Sequence, residues 1–168
     1  MFVQEKKAIV MMGVSGVGKT TVGKLLGEAT GLPFFDGDDY HAAANIAKMA
    51  AGIALTDLDR KAWLKQLHDL LQKQLMLKGC VLACSALKEK YRNTLSNNLT
   101  NISFVYLQGD YKTILQRLKK RKSHYIKPEL LQSQLDILEV PTNAFTISSQ
   151  LSVEDIVATI VKNFFAEK

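Results

Sequence analysis

The sequence predicts one α/β domain built around a parallel β-sheet. Two observations lead to this fold class. Short apolar runs alternate along the chain with longer amphipathic segments, and a glycine-rich motif joins the first run to the first amphipathic segment. The chain has 168 residues, of which 47% are hydrophobic, so it is the size of one domain with a substantial core. No internal repeat, low-complexity tract or long linker divides it, and we predict a single domain over residues 1–168.

Each element is placed by its own pattern. Five apolar runs are predicted as strands, at residues 8–12, 33–36, 80–84, 102–107 and 144–148. The amphipathic segments between them predict helices at 19–29, 57–78, 87–97, 111–121, 128–138 and 153–165. Two helix starts carry capping signals, because Thr56 lies three residues before Asp59 and Ser152 lies three residues before Asp155.

The motif after the first strand matches the whole pattern G-x-x-x-x-G-K-[ST]. Glycines let the backbone wrap around an anion, and the amides of the loop and of the following helical turn point towards it. The lysine would reach the β- and γ-phosphates of a nucleoside triphosphate, and the threonine hydroxyl would hold Mg²⁺. A chance match in a glycine-rich turn is disfavoured by the strand–loop–helix context. The predicted ATP-binding residues are Gly13, Val14, Ser15, Gly16, Val17, Gly18, Lys19, Thr20 and Thr21.

A cluster of acidic residues follows the second predicted strand. If the chain stays extended through Gly37, Asp36 and Asp38 project to the same side of the sheet. One carboxylate could then help to organise Mg²⁺ and the other could accept a proton from a substrate hydroxyl. The alternative is an acidic turn that only caps a helix, and we prefer that interpretation for Asp39.

Basic residues recur where the predicted strands lead into helices. Each could be a solvated surface charge, but their joint placement around one loop favours contacts with an anionic ligand. Residues 117–122 are rich in Lys and Arg and predict a mobile lid that would bring a cation onto the transferred phosphate. The candidates are Arg60, Lys88, Arg92, Arg117 and Arg121.

Composition narrows the class of protein further. The net charge of +6 suits either nucleic acid or a small anionic substrate, but no aromatic–basic RNA-binding signature is present. Cys80 and Cys84 match no metal or disulfide pattern, so we expect buried, reduced thiols. No stretch is long enough to span a membrane, and the first apolar run is too short for a signal peptide. A cytoplasmic location is the expectation.

Several longer segments are more specific than the phosphate-binding motif. They are residues 36–41 with Asn45, Lys48 and Met49; Gly52 and 55–60 with Trp63 and Leu64; 84–88 with Tyr91 and Arg92; and Arg117, Leu118, Arg121, His124, Tyr125, 130–134, Leu138, Glu139 and Pro141. Together these segments resemble the gluconokinases, small P-loop kinases related to shikimate kinase and to the nucleoside monophosphate kinases. The resemblance covers nearly the whole chain.

The resemblance implies a three-layer α/β/α P-loop kinase fold with a five-stranded parallel sheet and a mobile helical lid at about 117–128. It implies in-line phosphoryl transfer from ATP, with Mg²⁺, to the 6-hydroxyl of D-gluconate, giving ADP and 6-phospho-D-gluconate. The expected partner is therefore a small molecule rather than nucleic acid or a membrane. Members of this family are often dimeric, so a homodimer is a further expectation.

The resemblance also implies individual roles. Lys19, Asp38 and Arg121 would be catalytic, with Asp38 deprotonating the 6-hydroxyl and Arg121 facing the phosphates. Thr20 and Asp36 would hold the metal, and Arg117 would lie on the adenine. The substrate-binding residues would be Asp38, His41, Arg60, Ser85, Lys88, Tyr91, Arg92 and His124, and one of the three basic residues among them would pair with the gluconate carboxylate.

Two other interpretations stay open on the sequence alone, namely a kinase for another small molecule such as shikimate or a nucleotide, and a nucleic-acid-binding or regulatory NTPase. This chain also departs from the family pattern. Ala42 and Ala62 replace prolines, and Pro128 lies three residues after Tyr125 instead of two. Each change relaxes a backbone restraint, so the positions of these loops are less certain than the chemistry.

Overall fold

Five parallel strands form the central sheet in the computed structural model, which describes residues 6–120 and 129–166. All five predicted strands are confirmed, with bounds that shift by one residue at one or both ends. The strands lie side by side in the order β2-β3-β1-β4-β5. Their bounds are β1 Lys7–Met12, β2 Phe34–Asp36, β3 Gly79–Ala83, β4 Ile102–Gln108 and β5 Phe145–Ser148.

Helices cover both faces of the sheet. Six of them match the predicted segments, whereas the short helix α2 and the 3₁₀ turn at Gly37–Tyr40 were not predicted. Helix α2 has only eight residues, and its N-cap residue Ala42 has no capping side chain, so the sequence carries little signal for it. The helices are α1 Lys19–Thr30, α2 Ala43–Ala50, α3 Asp57–Leu77, α4 Glu89–Ser96, α5 Tyr111–Lys120, α6 Glu129–Ile137 and α7 Val153–Phe164.

Strand β1 is the centre of two hydrophobic cores. Its side chains alternate between faces, so Ile9 and Met11 pack in the core that includes residues of α1 and α7. Ala8, Val10 and Met12 pack in the opposite core, with residues of α3 and α4. Because both faces are covered, the strand is apolar throughout, as is typical of a parallel sheet between two helical layers.

Local capping determines where two helices begin. The Thr56 hydroxyl accepts from the Asp59 amide while the Asp59 carboxylate accepts from the Thr56 amide, so the predicted capping box of α3 is confirmed. At α7 the Ser152 hydroxyl accepts from the Asp155 amide at 3.1 Å. These side chains satisfy amides that have no partner inside the helix.

The predicted state of the two cysteines is confirmed. Cys80 in β3 and Cys84 directly after it are buried, free thiols. Burial raises the pKa of each thiol to about 12, so both stay protonated at neutral pH.

Within residues 6–120 and 129–166, no helix combines the length and the apolar character needed to cross a bilayer.

The strand order creates a crevice at the carboxyl edge of the sheet. Strands β1 and β3 are neighbours although β2 lies between them in sequence, and the chain later crosses to β4 on the other side of β1. Beyond the strand ends, the Cys84 amide donates to the Met11 carbonyl at 3.0 Å and the Gly13 amide donates to the Ser85 carbonyl at 3.2 Å. Open α/β sheets bind their ligands at such a reversal of strand order.

Two glycines with positive φ allow a matched test of the packing at the start of β3. A Cβ on Gly79, where φ is +93°, would lie 2.0 Å from the Lys7 carbonyl oxygen, whereas a Cβ on Gly31, where φ is +69°, would contact nothing within 4 Å. We expect Gly79→Ala to lower the free energy of unfolding by at least about 3 kcal/mol, against about 1 kcal/mol for Gly31→Ala. Urea denaturation measures both. Equal losses would contradict the close approach of β1 to β3.

Candidate active site

The phosphate loop, residues 13–20, joins β1 to α1 and leaves the start of that helix open. Gly18 is the N-cap residue in a left-handed conformation, with φ of 110°, and it offers no side chain to the helix amides. No acidic residue lies in the first turn of α1. The first-turn amides and the positive end of the helix dipole therefore suit an external anion.

A side-chain hydrogen bond ties the loop to the end of β2. The Thr20 hydroxyl donates to Asp36 Oδ2 at 2.7 Å. Within the loop, the Lys19 ammonium donates to the Val14 carbonyl at 3.0 Å. The predicted metal-binding pair is thus already in contact, and the lysine lies over its own loop.

The acidic turn, residues 36–41, differs from the extended geometry that the sequence suggested. The strand ends at Asp36, whose Oδ1 accepts from the Asp38 amide at 3.0 Å and starts the 3₁₀ turn. An aspartate that binds the amide two residues ahead favours a turn over continued extension. Asp36 therefore supplies the cap, whereas Asp39 is exposed and Asp38 is only partly buried.

His41 closes the acidic turn against α3. Its ring stacks on Trp63 with centroids 4.2 Å apart, and the indole nitrogen of Trp63 donates to the Gly37 carbonyl at 2.7 Å. His41 Nε2 lies 4.0 Å from Asp38 Oδ1. Burial first, and the nearby Arg60 guanidinium second, lower the pKa of His41 to about 4. The imidazole is therefore neutral at physiological pH.

Helix α2 is fastened to the same region. Asn45 Nδ2 donates to the Asp59 carbonyl at 2.8 Å and lies 3.5 Å from His41 Nδ1. Lys48 Nζ pairs with the Asp59 carboxylate at 2.8 Å, and that pair helps to lower the pKa of Asp59 to about 2. Ala42, where the family pattern has proline, has φ of −62°, a value that proline also adopts. The turn therefore keeps a proline-like backbone without the proline ring.

A cationic cluster lies where helices α3 and α4 begin. The buried Arg60 donates to the Leu55 carbonyl, and its guanidinium carbon lies 5.5 Å from the centroid of the Tyr91 ring. The Tyr91 hydroxyl donates to Asp57, and Lys88 Nζ lies 3.0 Å from the same carboxylate.

Asp57 is the carboxylate that holds this cluster together. Hydrogen bonds from Lys90, Tyr91 and Lys88 keep the pKa of Asp57 well below its usual range. Burial, followed by the hydrogen bond to Asp57, raises the pKa of Tyr91 to about 12. The carboxylate is therefore ionised and the phenol protonated at neutral pH.

Arg92, in helix α4, supports the loop after β3. It is 6% exposed, and its Nη1 donates to the carbonyls of Ala86 at 2.9 Å and Leu87 at 3.2 Å. Ala86 has a φ of 45°, which is unusual for a residue with a side chain. Arg92 thus holds a strained segment, and a direct contact with substrate stays a prediction for it.

A groove of about 410 Å³ opens on the other side of the phosphate loop. Arg117 crosses it, because Nη1 donates to the Val17 carbonyl at 3.3 Å and Nη2 to the Ser149 carbonyl at 2.9 Å. The loop after β5 forms the opposite wall. The groove is lined by Gly16, Val17, Gly18, Thr21, Val22, Arg117, Lys120, Ser149, Leu151, Val153 and Ile156.

Most of the predicted site residues thus lie along one edge of the sheet. Arg121, His124 and the rest of the predicted lid from 121 to 128 lie outside the described residues. Two contacts were not anticipated. Trp63 and Gln134 both belong to the family pattern, but the sequence assigned neither a role in the site. The sequence did carry one signal for the Gln134 contact. Gln134 lies four residues after Leu130 and three after Leu131, so its polar side chain shares the apolar face of the helix with these buried leucines.

The residues at the loop suit Mg²⁺. Thr20 and Asp36 offer a hydroxyl and a carboxylate, the hard oxygen ligands that this ion prefers. No group of three or more His, Cys, Asp or Glu side chains in the described parts of the chain could hold a metal alone. Mg²⁺ is usually held by one or two carboxylates together with substrate phosphates, so this small donor set fits.

Comparison with known proteins gives a consistent picture. The shikimate kinase family model matches residues 15–162. A gluconokinase from Arabidopsis thaliana is 42% identical, over 93% of this chain and 91% of its own length. The structure of a sugar kinase from Janibacter sp. HTCC2649 superposes with a TM-score of 0.88 at 34% identity, covering 95% and 96% of the two chains. The structure of a gluconokinase from Sinorhizobium meliloti 1021 gives a TM-score of 0.82 at 35% identity, covering 96% and 97%.

The neutrality of His41 can be measured directly. We expect an imidazole NMR titration with a midpoint at about pH 4, assigned by its loss in His41→Phe. Because the pKa in the folded state is below that of the unfolded chain, the stability from neutral His41 is complete above pH 6.5 and is lost as the pH falls towards 4. Thermal unfolding of the wild type should therefore lose more stability in this range than His41→Phe does. A midpoint near 6.5 would contradict the buried stack.

Proposed function

This chain belongs to the shikimate kinase family and, within it, to the gluconokinases, and we propose that it phosphorylates D-gluconate on the 6-hydroxyl with ATP. The observation that carries the proposal is the continuous contact from the phosphate loop to the acidic turn, through Thr20 and Asp36 to the backbone of Asp38. A phosphate donor in the loop and a hydroxyl beside Asp38 would then be neighbours.

The ATP side of the reaction rests on the phosphate loop and the groove next to it. The open first turn of α1 receives the phosphates, and Lys19 moves from the Val14 carbonyl to the β- and γ-phosphates. The groove crossed by Arg117 holds the base, because Gly18 and Thr21 of the loop and of α1 line it and its volume is about 410 Å³. Thr20 and Asp36 hold Mg²⁺, which neutralises charge on the phosphates.

Asp38 is the general base for the acceptor. Phosphoryl transfer requires alignment, charge neutralisation and a group that accepts the hydroxyl proton. His41, which lies beside Asp38, is neutral and so does not form an ion pair with the Asp38 carboxylate.

The sugar-acid end is recognised by the cationic cluster around Tyr91. Lys88 is held by Asp57, so a substrate carboxylate would share or replace an existing anionic partner. Arg60 is fixed by the Leu55 carbonyl and by the Tyr91 ring, and its planar guanidinium suits a carboxylate. Ser85 follows the end of β3 at the carboxyl edge of the sheet, and it would contact a substrate hydroxyl.

We expect Asp38→Asn to lower kcat by at least about tenfold, the low end for losing a general base, while the affinity for ATP stays within about twofold. Asp39→Asn is the matched control, because this neighbouring carboxylate is exposed and should leave both parameters unchanged. Coupled ADP release measures kcat, and calorimetry measures ATP binding. Equal kcat in the two variants would remove Asp38 from the role of base.

The acceptor can be identified with the same assay. We expect ADP release to depend on D-gluconate and Mg²⁺, with a kcat/KM at least about a hundredfold higher for gluconate than for shikimate or a nucleoside monophosphate. A site built around a specific set of polar contacts discriminates on that scale. Preference for shikimate or a nucleotide, or gluconate-independent release stimulated by nucleic acid, would contradict the proposal.

A further inference from the structure

The peptide bond between Val14 and Ser15 is held at both ends. Its carbonyl accepts from the Lys19 ammonium at 3.0 Å. Its amide donates to Gln134 Oε1 at 2.7 Å, and Gln134 Nε2 donates in turn to the Ser15 hydroxyl at 3.0 Å. A trans peptide is planar, with its N–H and C=O pointing in opposite directions. Gln134 and Lys19 therefore fix the orientation of this one peptide plane from opposite sides.

Gln134 reaches the phosphate loop from helix α6, which is itself well anchored. Leu130 packs against Met49 and Leu55, and Leu131 is buried in the core that contains β1. Just beyond the helix, the Glu139 amide donates to the Leu87 carbonyl at 2.9 Å. The Gln134 side chain therefore reaches Ser15 from a helix whose leucines are buried in two core clusters.

From this geometry we propose that Gln134 is a positioning residue for the nucleotide. By holding the peptide between Val14 and Ser15, it sets the path of the phosphate loop and the starting position of Lys19. The inference rests on the proposed function, since it assumes that the loop binds ATP. Gln134 touches neither the phosphates nor the acceptor in this account, and it acts through Ser15.

Glutamine is suited to this task because one side chain supplies both an acceptor and a donor. The acceptor binds the loop amide and the donor binds the Ser15 hydroxyl, so two groups are satisfied by one planar amide. Ser15 is 7% exposed, and a buried amide without a partner is costly. Without Gln134 the peptide would turn to find another acceptor, and the arrangement of loop amides around the phosphates would change.

The test compares two glutamines on the same helix. Gln134→Met keeps the length of the side chain and removes both bonds to Ser15. Gln132→Met is the matched control, because Gln132 is exposed and bonds to Asp136 within the helix. Calorimetry with Mg²⁺ and a non-hydrolysable ATP analogue gives the nucleotide Kd, and steady-state assays give the KM values for ATP and gluconate. Circular dichroism establishes that each variant is folded.

We expect Gln134→Met to raise the nucleotide Kd and the KM for ATP by about tenfold, as for the loss of one or two buried hydrogen bonds, with the KM for gluconate within about twofold. Gln132→Met should leave all three within about twofold. If Gln134→Met does not fold, Gln134→Asn, which is one methylene too short to reach Ser15, provides the same comparison.

Three results would overturn the inference. An unchanged nucleotide Kd in the folded Gln134 variant, even with a lower Tm, would leave the residue a merely structural role. An equal rise in the KM for ATP and for gluconate would indicate general damage to the site. If the wild type itself bound no nucleotide, the proposed function would fail and this inference would fail with it. Each of the first two results would instead overturn the inference alone, so the two kinds of failure are distinguishable.

Discussion

The hydrogen bond from Thr20 to Asp36 is the contact on which the rest of the site depends. It joins the first turn of α1 to the end of β2, a strand whose neighbour in the sheet is β3 rather than β1. Because Asp36 also starts the 3₁₀ turn, the position of Asp38 follows from the position of the phosphate loop. The helix amides, the proposed metal ligands and the proposed base thus form one unit.

The residues proposed to bind the acceptor already contact one another and the main chain. His41 is neutral between Trp63 and Asp38, and Arg60 and Arg92 are held by main-chain carbonyls. Such pre-existing contacts fix the side chains before a ligand arrives, so little conformational entropy remains to be lost on binding. Lys88 differs from these residues in the type of its partner, because Asp57 is a carboxylate like the one that a sugar acid carries. Recognition of the acid end would then be an exchange of carboxylates.

The sequence predicted the strands and the phosphate loop well because strong local rules determine them. The apolar run of β1, the glycines of the loop and the capping box at Thr56 each depend on neighbours in sequence. The acidic turn was less predictable, because the sequence of residues 36–41 is compatible both with an extended strand and with a turn capped by Asp36. In addition, the Trp63 indole that stabilises the turn lies 26 residues after Gly37, the residue whose carbonyl it binds. The Gln134 contact spans 119 residues, and the spacing of Gln134 from Leu130 and Leu131 indicates the helix face of its side chain but not the partner. Long-range polar contacts of this kind depend on tertiary packing.

The most direct measurement of the central claim is a crystal structure of the complex with Mg²⁺, a non-hydrolysable ATP analogue and D-gluconate. The account predicts phosphates within the loop at residues 13–20 and the gluconate 6-hydroxyl at about 3 Å from the Asp38 carboxylate, in line with the γ-phosphate. Gluconate bound with that hydroxyl directed away from Asp38, or nucleotide bound outside the loop, would contradict it.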